Sequence, residues 1–193
     1  KRVVIGQIDP NPMVSGTGIK KLKKSGIEVV TGVQLEQCLK INRGFNTVQS
    51  LGRPYIHIKW AQSLDGQIAT ANGESKWITS EECRKECHKY RSCSDAIIVG
   101  RKTVELDDPV LDSRYGYSPS PRPVVLDANS KLSRDHKLFK RDPIIITQSK
   151  SKTSAKYGNR KSIIELTGPR FNLTDILKEL REESINSIFI EGG

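Results

Sequence analysis

The chain has 193 residues, of which 35% are hydrophobic and 28% are charged, and its formal net charge is +10. This length suits one domain, or one domain with part of a second, and it is sufficient to bury a substantial core. No apolar run approaches the roughly 20 residues that cross a bilayer, and Lys1 leads into an apolar segment without a signal-peptide pattern.

The first fifty residues alternate between strand and helix patterns. The predicted elements are strands at 3–8 and 27–30, and helices at 19–25 and from 35 to about 50. The stretch 51–54 (Leu-Gly-Arg-Pro) combines two strong breakers and indicates a domain boundary. We therefore predict one domain at 1–50 and a second at 54–193.

Beyond this boundary, strands again alternate with helices. The predicted strands are 55–63, 95–100, 124–127, 144–147, 163–166 and 187–190. Helices are predicted after a capping box at 79–82 and after a cap at Asn172 or Thr174. This alternation predicts an α/β fold with a largely parallel central sheet flanked by helices. In such sheets ligands bind at the carboxyl ends of the strands.

The residues that directly follow strands are therefore candidates for a site. They fall at 63–66, 100–103, 127–131 and 191–193. Within strand 55–63, the alternation of side chains places Lys59 on the face opposite the main apolar set. We expect these stretches to converge at one edge of the sheet.

Several of these side chains suit a flat, anionic ligand. Residues 73–79 place a glycine loop and Trp77 directly before a predicted helix, whose N-terminus attracts anions. Arg91 and Arg114 are candidate anion clamps, because a guanidinium holds phosphate through paired hydrogen bonds, although each of them taken singly is more typical of a surface arginine. Glu191 ends a buried strand beside two glycines, which allow close approach of a backbone to phosphate.

Two further patterns favour structure over chemistry. On a helix, Cys83 and Cys87 share one face while His88 points about 100° away from Cys87, so the tetrahedral convergence that zinc needs is missing. We interpret both cysteines as small buried hydrophobic groups and predict no metal site. Gly16 and Gly18 begin a dinucleotide-binding pattern that fails at Lys21, and we interpret them as loop glycines.

The positive charge is concentrated between Lys131 and Lys161, a stretch that contains ten Lys or Arg residues and two Asp residues. Such a run attracts phosphorylated ligands or nucleic acids, but a solvated basic surface explains most of it. Aromatic residues make up 6% of the chain and no stacking platform accompanies the run, so a nucleic-acid-binding module ranks far behind an enzyme.

Cysteine usage bears on the cellular compartment. The four cysteines are Cys38, Cys83, Cys87 and Cys93, too few and too clustered for a secreted disulfide scaffold. We therefore expect a cytoplasmic protein. The only methionine is Met13, and we expect position 1 to lie inside a longer natural chain.

In their order along the chain, these pieces resemble the bifunctional riboflavin-biosynthesis deaminase/reductase family. The ordered set is Lys59, Ser63-Leu-Asp-Gly66, Gly73-Glu-Ser75, Trp77-Ile-Thr79, Thr103, Asp107-Asp-Pro109, Leu111, Asp127 and Ile188-Phe-Ile-Glu191-Gly-Gly. Upstream, Asp9-Pro-Asn-Pro12 with Gly16, Gly18 and Gly26 resembles the end of the deaminase half. The set spans nearly the whole chain.

The resemblance implies a dihydrofolate-reductase-like fold for 54–193 and the C-terminal part of a cytidine-deaminase-like domain for 1–50. It implies NADPH-dependent reduction of 5-amino-6-(5-phosphoribosylamino)uracil. The implied substrate contacts are Ser75, Arg91, Leu111, Arg114 and Glu191. The implied cofactor contacts are Ala61, Trp77, Thr103, Asp107, Ala128, Gly192 and Gly193. Lys59 and Glu191 would flank the reacting sugar carbon, and we hypothesise that Lys131 binds the 2′-phosphate of NADPH.

Two departures from the family pattern limit what is expected of the chain. The zinc-binding deaminase signature is absent from these residues, so zinc is expected only in the missing deaminase part of a longer parent. The family also continues beyond Gly193, which predicts that the reductase domain is incomplete. The alternative enzyme is another pteridine or pyrimidine reductase of the same fold. The predicted partners are a small phosphorylated pyrimidine and a second copy of the chain, as a dimer or higher oligomer, without nucleic acid or membrane.

Overall fold

The structure, a computed structural model, describes residues 1–148, 157 and 163–192. It divides into two compact units, Lys1–Tyr55 and Ile56–Gly193. The division falls just after the predicted boundary at 51–54. The identity of the first unit as the end of a deaminase domain stays a prediction. None of the helices in the described ranges has the length and apolar character needed to cross a membrane.

The first unit is built from two short strands and three helices. Its elements are β1 (Arg2–Ile5), α1 (Thr17–Lys24), β2 (Glu28–Thr31), α2 (Leu35–Ile41) and α3 (Arg43–Leu51). Strands β1 and β2 pair in parallel. Packing favours the glycine after β1, because a Cβ atom on Gly6 would overlap the Sγ atom of Cys38.

Two predictions for this unit need correction. The single helix predicted from 35 to about 50 is interrupted at Asn42, whose ψ of 22° ends α2 while the same residue precedes α3. Asparagine competes with the helix for backbone hydrogen bonds, which explains the break. Gly16 is a loop glycine as predicted, with a φ of 71°, but Gly18 lies inside α1.

The second unit carries a six-stranded sheet with helices between the strands. Its strands are β3 (Tyr55–Lys59), β4 (Ala96–Gly100), β5 (Arg122–Leu126), β6 (Ile144–Thr147), β7 (Ile163–Glu165) and β8 (Ser187–Glu191). Its helices are α4 (Glu81–Ser92), α5 (Arg101–Asp107) and α6 (Leu173–Glu182), with a 3-10 helix at Lys137–Arg141. The strand order is β3-β8-β4-β5-β6-β7.

The sheet is parallel where β4 pairs with β5 and β8, and where β6 pairs with β5 and β7. This confirms the predicted α/β class with a largely parallel sheet. The apolar run of β4 is buried on both faces, which is typical of a covered parallel strand. Ile98 packs in the buried cluster that contains Ile176 and Leu180 of α6, whereas Ile97 packs in the cluster that contains Val104 of α5.

Three local predictions for this unit were wrong. No helix is predicted at 101–107, but this stretch forms α5 directly after β4, with Val104 buried against the sheet. The cap of α4 is Ser80 and not Thr79, since the Ser80 side chain accepts a hydrogen bond from the Cys83 N–H. Strand β3 ends at Lys59, four residues earlier than predicted.

Candidate active site

A cleft of about 440 Å³ opens at the carboxyl ends of β4 and β8 in the second unit. It contains most of the side chains singled out from the sequence. Those implied for the substrate are Ser75, Arg91, Leu111, Arg114 and Glu191, and all line the cleft. Those implied for the cofactor that line it are Ala61, Trp77, Thr103, Asp107 and Gly192, and Lys59 lies beside them. Their roles remain proposals, but their convergence is a structural fact.

The sheet positions the two residues proposed for the chemical step. Lys59 is the last residue of β3 and Glu191 is the last residue of β8, and these strands are neighbours in the sheet. The Cys87 thiol of α4 lies within the electrostatic reach of both. Burial raises the pKa of that thiol above its ordinary value, and the charges of Lys59 and Glu191 act on it in opposite directions. Lys59 and Glu191 therefore share one part of the cleft.

Glu191 is held in place by Arg91 of α4. The Arg91 Nε and Nη2 atoms each donate to a different Glu191 carboxylate oxygen over 2.7 Å. The two side chains are only 15% and 14% exposed. This is the planar fork that arginine forms with a carboxylate, and it fixes the orientation of the Glu191 side chain. The structure thus assigns Arg91 a protein partner in addition to the anion-binding role expected from the sequence.

The loop after α5 supplies the other arginine. Arg114 is half-exposed, and its Nε lies 3.1 Å from the Asp112 carboxylate. The Asp112 carbonyl oxygen also accepts from Arg91 Nη1 over 3.0 Å. Leu111 and Tyr115 both adopt a φ of 58°, so this loop turns sharply on either side of Arg114. Arg91 and Arg114 therefore lie against the same short segment of backbone.

His88 also lines the cleft, and the sequence-based search missed it. The residue is 9% exposed, and its Nδ1 atom is buried without a hydrogen-bond partner among the described residues. Its ring packs edge-on against Tyr115 with centroids 5.3 Å apart. Burial lowers the pKa of His88, the positive charges of Arg91 and Arg114 lower it further, and Asp112 opposes them. The imidazole is therefore neutral at pH 7.

This lowered pKa predicts a pH-dependent contribution to stability. Because the unfolded imidazole has the ordinary pKa of about 6.5, acid favours the unfolded state, and the stability present above that pH is lost as the pH falls. We expect acidification from about pH 7.5 to 5.5 to destabilise the wild type more than a His88→Gln variant. Urea unfolding of both proteins across this range measures the difference, and a difference that is constant with pH would contradict the prediction.

Helix α4 presents a stripe of cleft residues that only periodicity could have revealed. Arg84, Cys87, His88 and Arg91 recur at the i, i+3, i+4, i+7 spacing of one helix face, and all four line the cleft. From the sequence, Cys83 and Cys87 are instead interpreted as two small buried hydrophobic groups on one helix face. That interpretation is wrong for Cys83, which is exposed.

Two of the predicted cofactor contacts do not line the cleft, and a third cannot be placed. Ala128 and Lys131 are absent from its lining, and Gly193 lies outside the described residues. Asp127, which precedes Ala128, is buried and accepts hydrogen bonds from the Leu132 N–H and the Tyr157 hydroxyl. This part of the chain is therefore tied into the core, and the cofactor roles of Ala128 and Lys131 stay predictions.

Two cleft lysines to which no role was given from the sequence lie beside the neighbouring acidic residues Asp107 and Asp108. Lys76 is 3.5 Å from the Asp107 carboxylate, and Lys137 is 3.2 Å from Asp108. No group of three or more His, Cys, Asp or Glu residues within the described ranges is arranged to hold a metal ion. The basic run from Lys131 is described only in part, because most of 149–162 lies outside the described residues.

Comparison with known proteins identifies the family. Residues 54–193 match the RibD C-terminal domain. The chain is 41% identical over 196 residues to riboflavin biosynthesis protein RibD of Aquifex aeolicus, covering all of this chain and 55% of the relative. It is 32% identical over 208 residues to RibD of Escherichia coli, covering 56% of that protein. The chain thus spans about half the length of these curated relatives.

Solved structures give the same result. A diaminohydroxyphosphoribosylaminopyrimidine deaminase/5-amino-6-(5-phosphoribosylamino)uracil reductase from Thermotoga maritima superposes with a TM-score of 0.86 at 36% identity. Acinetobacter baumannii RibD gives a TM-score of 0.86 at 33% identity. Each match covers the whole of this chain and 54% and 55% of the respective structure. The chain belongs to the RibD C-terminal domain family.

Proposed function

We propose that this chain is the reductase part of a riboflavin-biosynthesis protein. It reduces 5-amino-6-(5-phosphoribosylamino)uracil, the compound named for the T. maritima relative, to the phosphoribitylamino product, with NADPH as the reductant. The deaminase activity, its zinc and the dimeric state expected for a longer parent remain predictions.

The charge of the cleft carries this proposal. Six cationic and three acidic side chains line it, a formal excess of three positive charges. The cations are Lys59, Lys76, Arg84, Arg91, Arg114 and Lys137, and the acids are Asp107, Asp108 and Glu191. A concave site with one dominant sign of charge concentrates ligands of the opposite sign. A phosphorylated sugar and a dinucleotide phosphate are both of that kind.

The same lining fits NADPH. Trp77 is 71% exposed in the wall of the cleft and offers an indole face to a flat ring. Gly192 follows β8 without a side chain to obstruct a ligand, and Thr103 and Asp107 present polar groups from α5. When bound, NADPH supplies the hydride that reduces the sugar carbon.

The remaining chemistry belongs to Lys59 and Glu191. Reduction of a C=N or C=O group requires a proton as well as a hydride, and a positioned side chain delivers it. Lys59, whose ammonium forms no ion pair within the described part of the chain, is the proton donor. Glu191 keeps lone pairs beyond those used by Arg91, so it accepts hydrogen bonds from substrate hydroxyl groups and orients the reacting carbon.

Arg114 tests the substrate assignment. We expect Arg114→Ala to raise the KM for the phosphoribosylaminouracil about ten-fold or more, because a charge-assisted contact to phosphate is lost, with little change in the KM for NADPH. NADPH oxidation followed by absorbance measures both constants. The matched control is Arg134→Ala, since Arg134 is an exposed arginine outside the cleft lining. If the wild type binds NADPH but leaves this substrate unreduced, the proposed substrate is wrong.

A second candidate function is reduction of an unphosphorylated pteridine or pyrimidine on the same fold. The position of Arg114 beside Arg91 at the cleft wall favours a phosphorylated substrate. Assays with dihydrofolate and with the dephosphorylated uracil compound distinguish the two functions, because only the alternative enzyme would turn them over without loss of efficiency.

A further inference from the structure

Arg84 stacks on the exposed tryptophan of the cleft. The Arg84 Cζ atom lies 4.3 Å from the centroid of the Trp77 ring, and Arg84 Nη1 donates to the Thr79 carbonyl oxygen over 2.6 Å. Arg84 covers one face of the indole, yet Trp77 remains 71% exposed. The opposite face and the ring edge are therefore accessible from the cleft.

Stacking leaves most of the hydrogen-bonding capacity of Arg84 unused. A guanidinium has five N–H donors in its plane, whereas it stacks through its face. In the described residues one of these donors is used, by Thr79. The remaining donors lie around the edge of a cation that Trp77 and Thr79 already hold in position, so little conformational entropy is lost when an anion binds.

Arg84 also differs from the other arginines of the cleft in its electrostatic partners. Four cleft cations are paired: Arg91 with Glu191, Arg114 with Asp112, Lys76 with Asp107, and Lys137 with Asp108. Within the described residues, Arg84 and Lys59 form no ion pair with a carboxylate. Lys59 is the proposed proton donor of the chemical step. Among the described residues, Arg84 is therefore the cleft guanidinium that forms no ion pair, although its charge acts at longer range on the exposed Glu82 carboxyl, whose pKa it helps to lower.

We propose that Arg84 binds a phosphate group of the ligand whose flat ring packs against Trp77. This inference rests on the proposed function for the identity of the ligand, since both NADPH and the phosphoribosylaminouracil combine a flat ring with phosphate. Arg84 and Trp77 then form one recognition element, in which the indole selects the ring and the guanidinium selects the charge.

The test measures binding and not turnover. The chain has two tryptophans, and Trp60 lies outside the cleft, so a Trp60→Phe background leaves Trp77 as the only indole reporter. In that background, NADPH and the phosphoribosylaminouracil are titrated separately by fluorescence against Arg84→Gln, Arg84→Lys and Lys85→Gln variants. Lys85 is the matched control, because it removes one charge from the same turn of α4 without lining the cleft.

Arg84→Gln should raise the dissociation constant of the ligand that uses Arg84 by about ten-fold, and Lys85→Gln by less than about two-fold. The ligand whose dissociation constant rises is the one whose phosphate binds Arg84. The dependence of that constant on salt should weaken in Arg84→Gln, and Arg84→Lys should restore part of the affinity because it restores the charge.

The inference would be overturned if the Arg84→Gln and Lys85→Gln variants had the same dissociation constant for NADPH and also the same dissociation constant for the phosphoribosylaminouracil. It would also be overturned by an Arg84→Lys variant as weak as Arg84→Gln with unchanged salt dependence, because Arg84 would then only support Trp77. A wild type that binds both ligands without reducing the substrate would refute the proposed function alone, since the role of Arg84 is determined from the dissociation constants.

Discussion

Replacing Arg91 by alanine is expected to lower the free energy of unfolding by about 3 kcal/mol, because it leaves the Glu191 carboxylate buried without its partner. Both N–H···O contacts of 2.7 Å disappear, and at 14% exposure the carboxylate cannot recover full hydration. The expected loss lies at the lower end of the range for buried pairs, since neither side chain is completely buried.

Chemical denaturation of the wild type and three variants measures the pair itself. In a double-mutant cycle, Arg91→Ala and Glu191→Gln should not be additive, and the double variant should be more stable than the sum of the single losses predicts. Lys89→Ala is the control on the same helix, because Lys89 pairs with Glu86 on an exposed surface where ion pairs contribute little. Similar losses in Arg91→Ala and Lys89→Ala would show that the Arg91–Glu191 pair does not stabilise the fold.

The sheet could be predicted because its strands carry their own signal. The run at 96–99 is apolar on both faces, and the observed β4 and β6 agree with the predicted strands to within one residue. Helix α5 could not be predicted in the same way. Val104 is its only fully buried residue, so no amphipathic pattern exists, and its place against the sheet follows from β4 ending immediately before it.

The position of the site could be predicted from the sequence, but the contacts between its side chains could not. The rule that ligands bind beyond strand ends indicated Thr103 and Glu191, and the alternation of side chains along the predicted strand 55–63 indicated Lys59. The family resemblance extended the set to residues that also line the cleft. The pairing of Arg91 with Glu191 joins positions 100 residues apart, and no local pattern encodes it. Because the sequence does not reveal such distant pairings, Arg91 and Arg114 looked equivalent in sequence, although Arg91 pairs with Glu191 and Arg114 with Asp112.

Asp127 illustrates the opposite error. Its position directly after a strand favoured a ligand-facing role, but its side chain is fully buried and accepts from the Tyr157 hydroxyl, 30 residues further along the chain. Burial and the hydrogen bond to Asp127 raise the pKa of Tyr157 well above its ordinary range, so the phenol keeps its proton and remains a donor. A strand-end carboxylate thus serves the core when a distant donor reaches it.

Lys59→Gln is expected to reduce kcat by about 10²- to 10⁴-fold, the range that general acid catalysis contributes, with a much smaller effect on the KM for NADPH. The reason is the position of Lys59 at the end of β3, close to Glu191 in the cleft: the charges of both residues act on the Cys87 thiol. Glutamine keeps a polar side chain, one atom shorter than lysine, but cannot deliver a proton at neutral pH. The result would therefore separate proton transfer from simple positioning.

Lys76→Gln provides the comparison within the same cleft. Lys76 lines the cleft as Lys59 does. It is half-exposed, however, and its ammonium lies 3.5 Å from the Asp107 carboxylate and not at the end of a strand. Its loss should change kcat by only a few-fold, because an exposed ion pair contributes little. Steady-state kinetics of the two variants, with NADPH and the phosphoribosylaminouracil each varied in turn, compares them directly. Equal effects on kcat would mean that lysine charge in the cleft matters only in sum, and the proton donor would then have to be sought elsewhere in the lining.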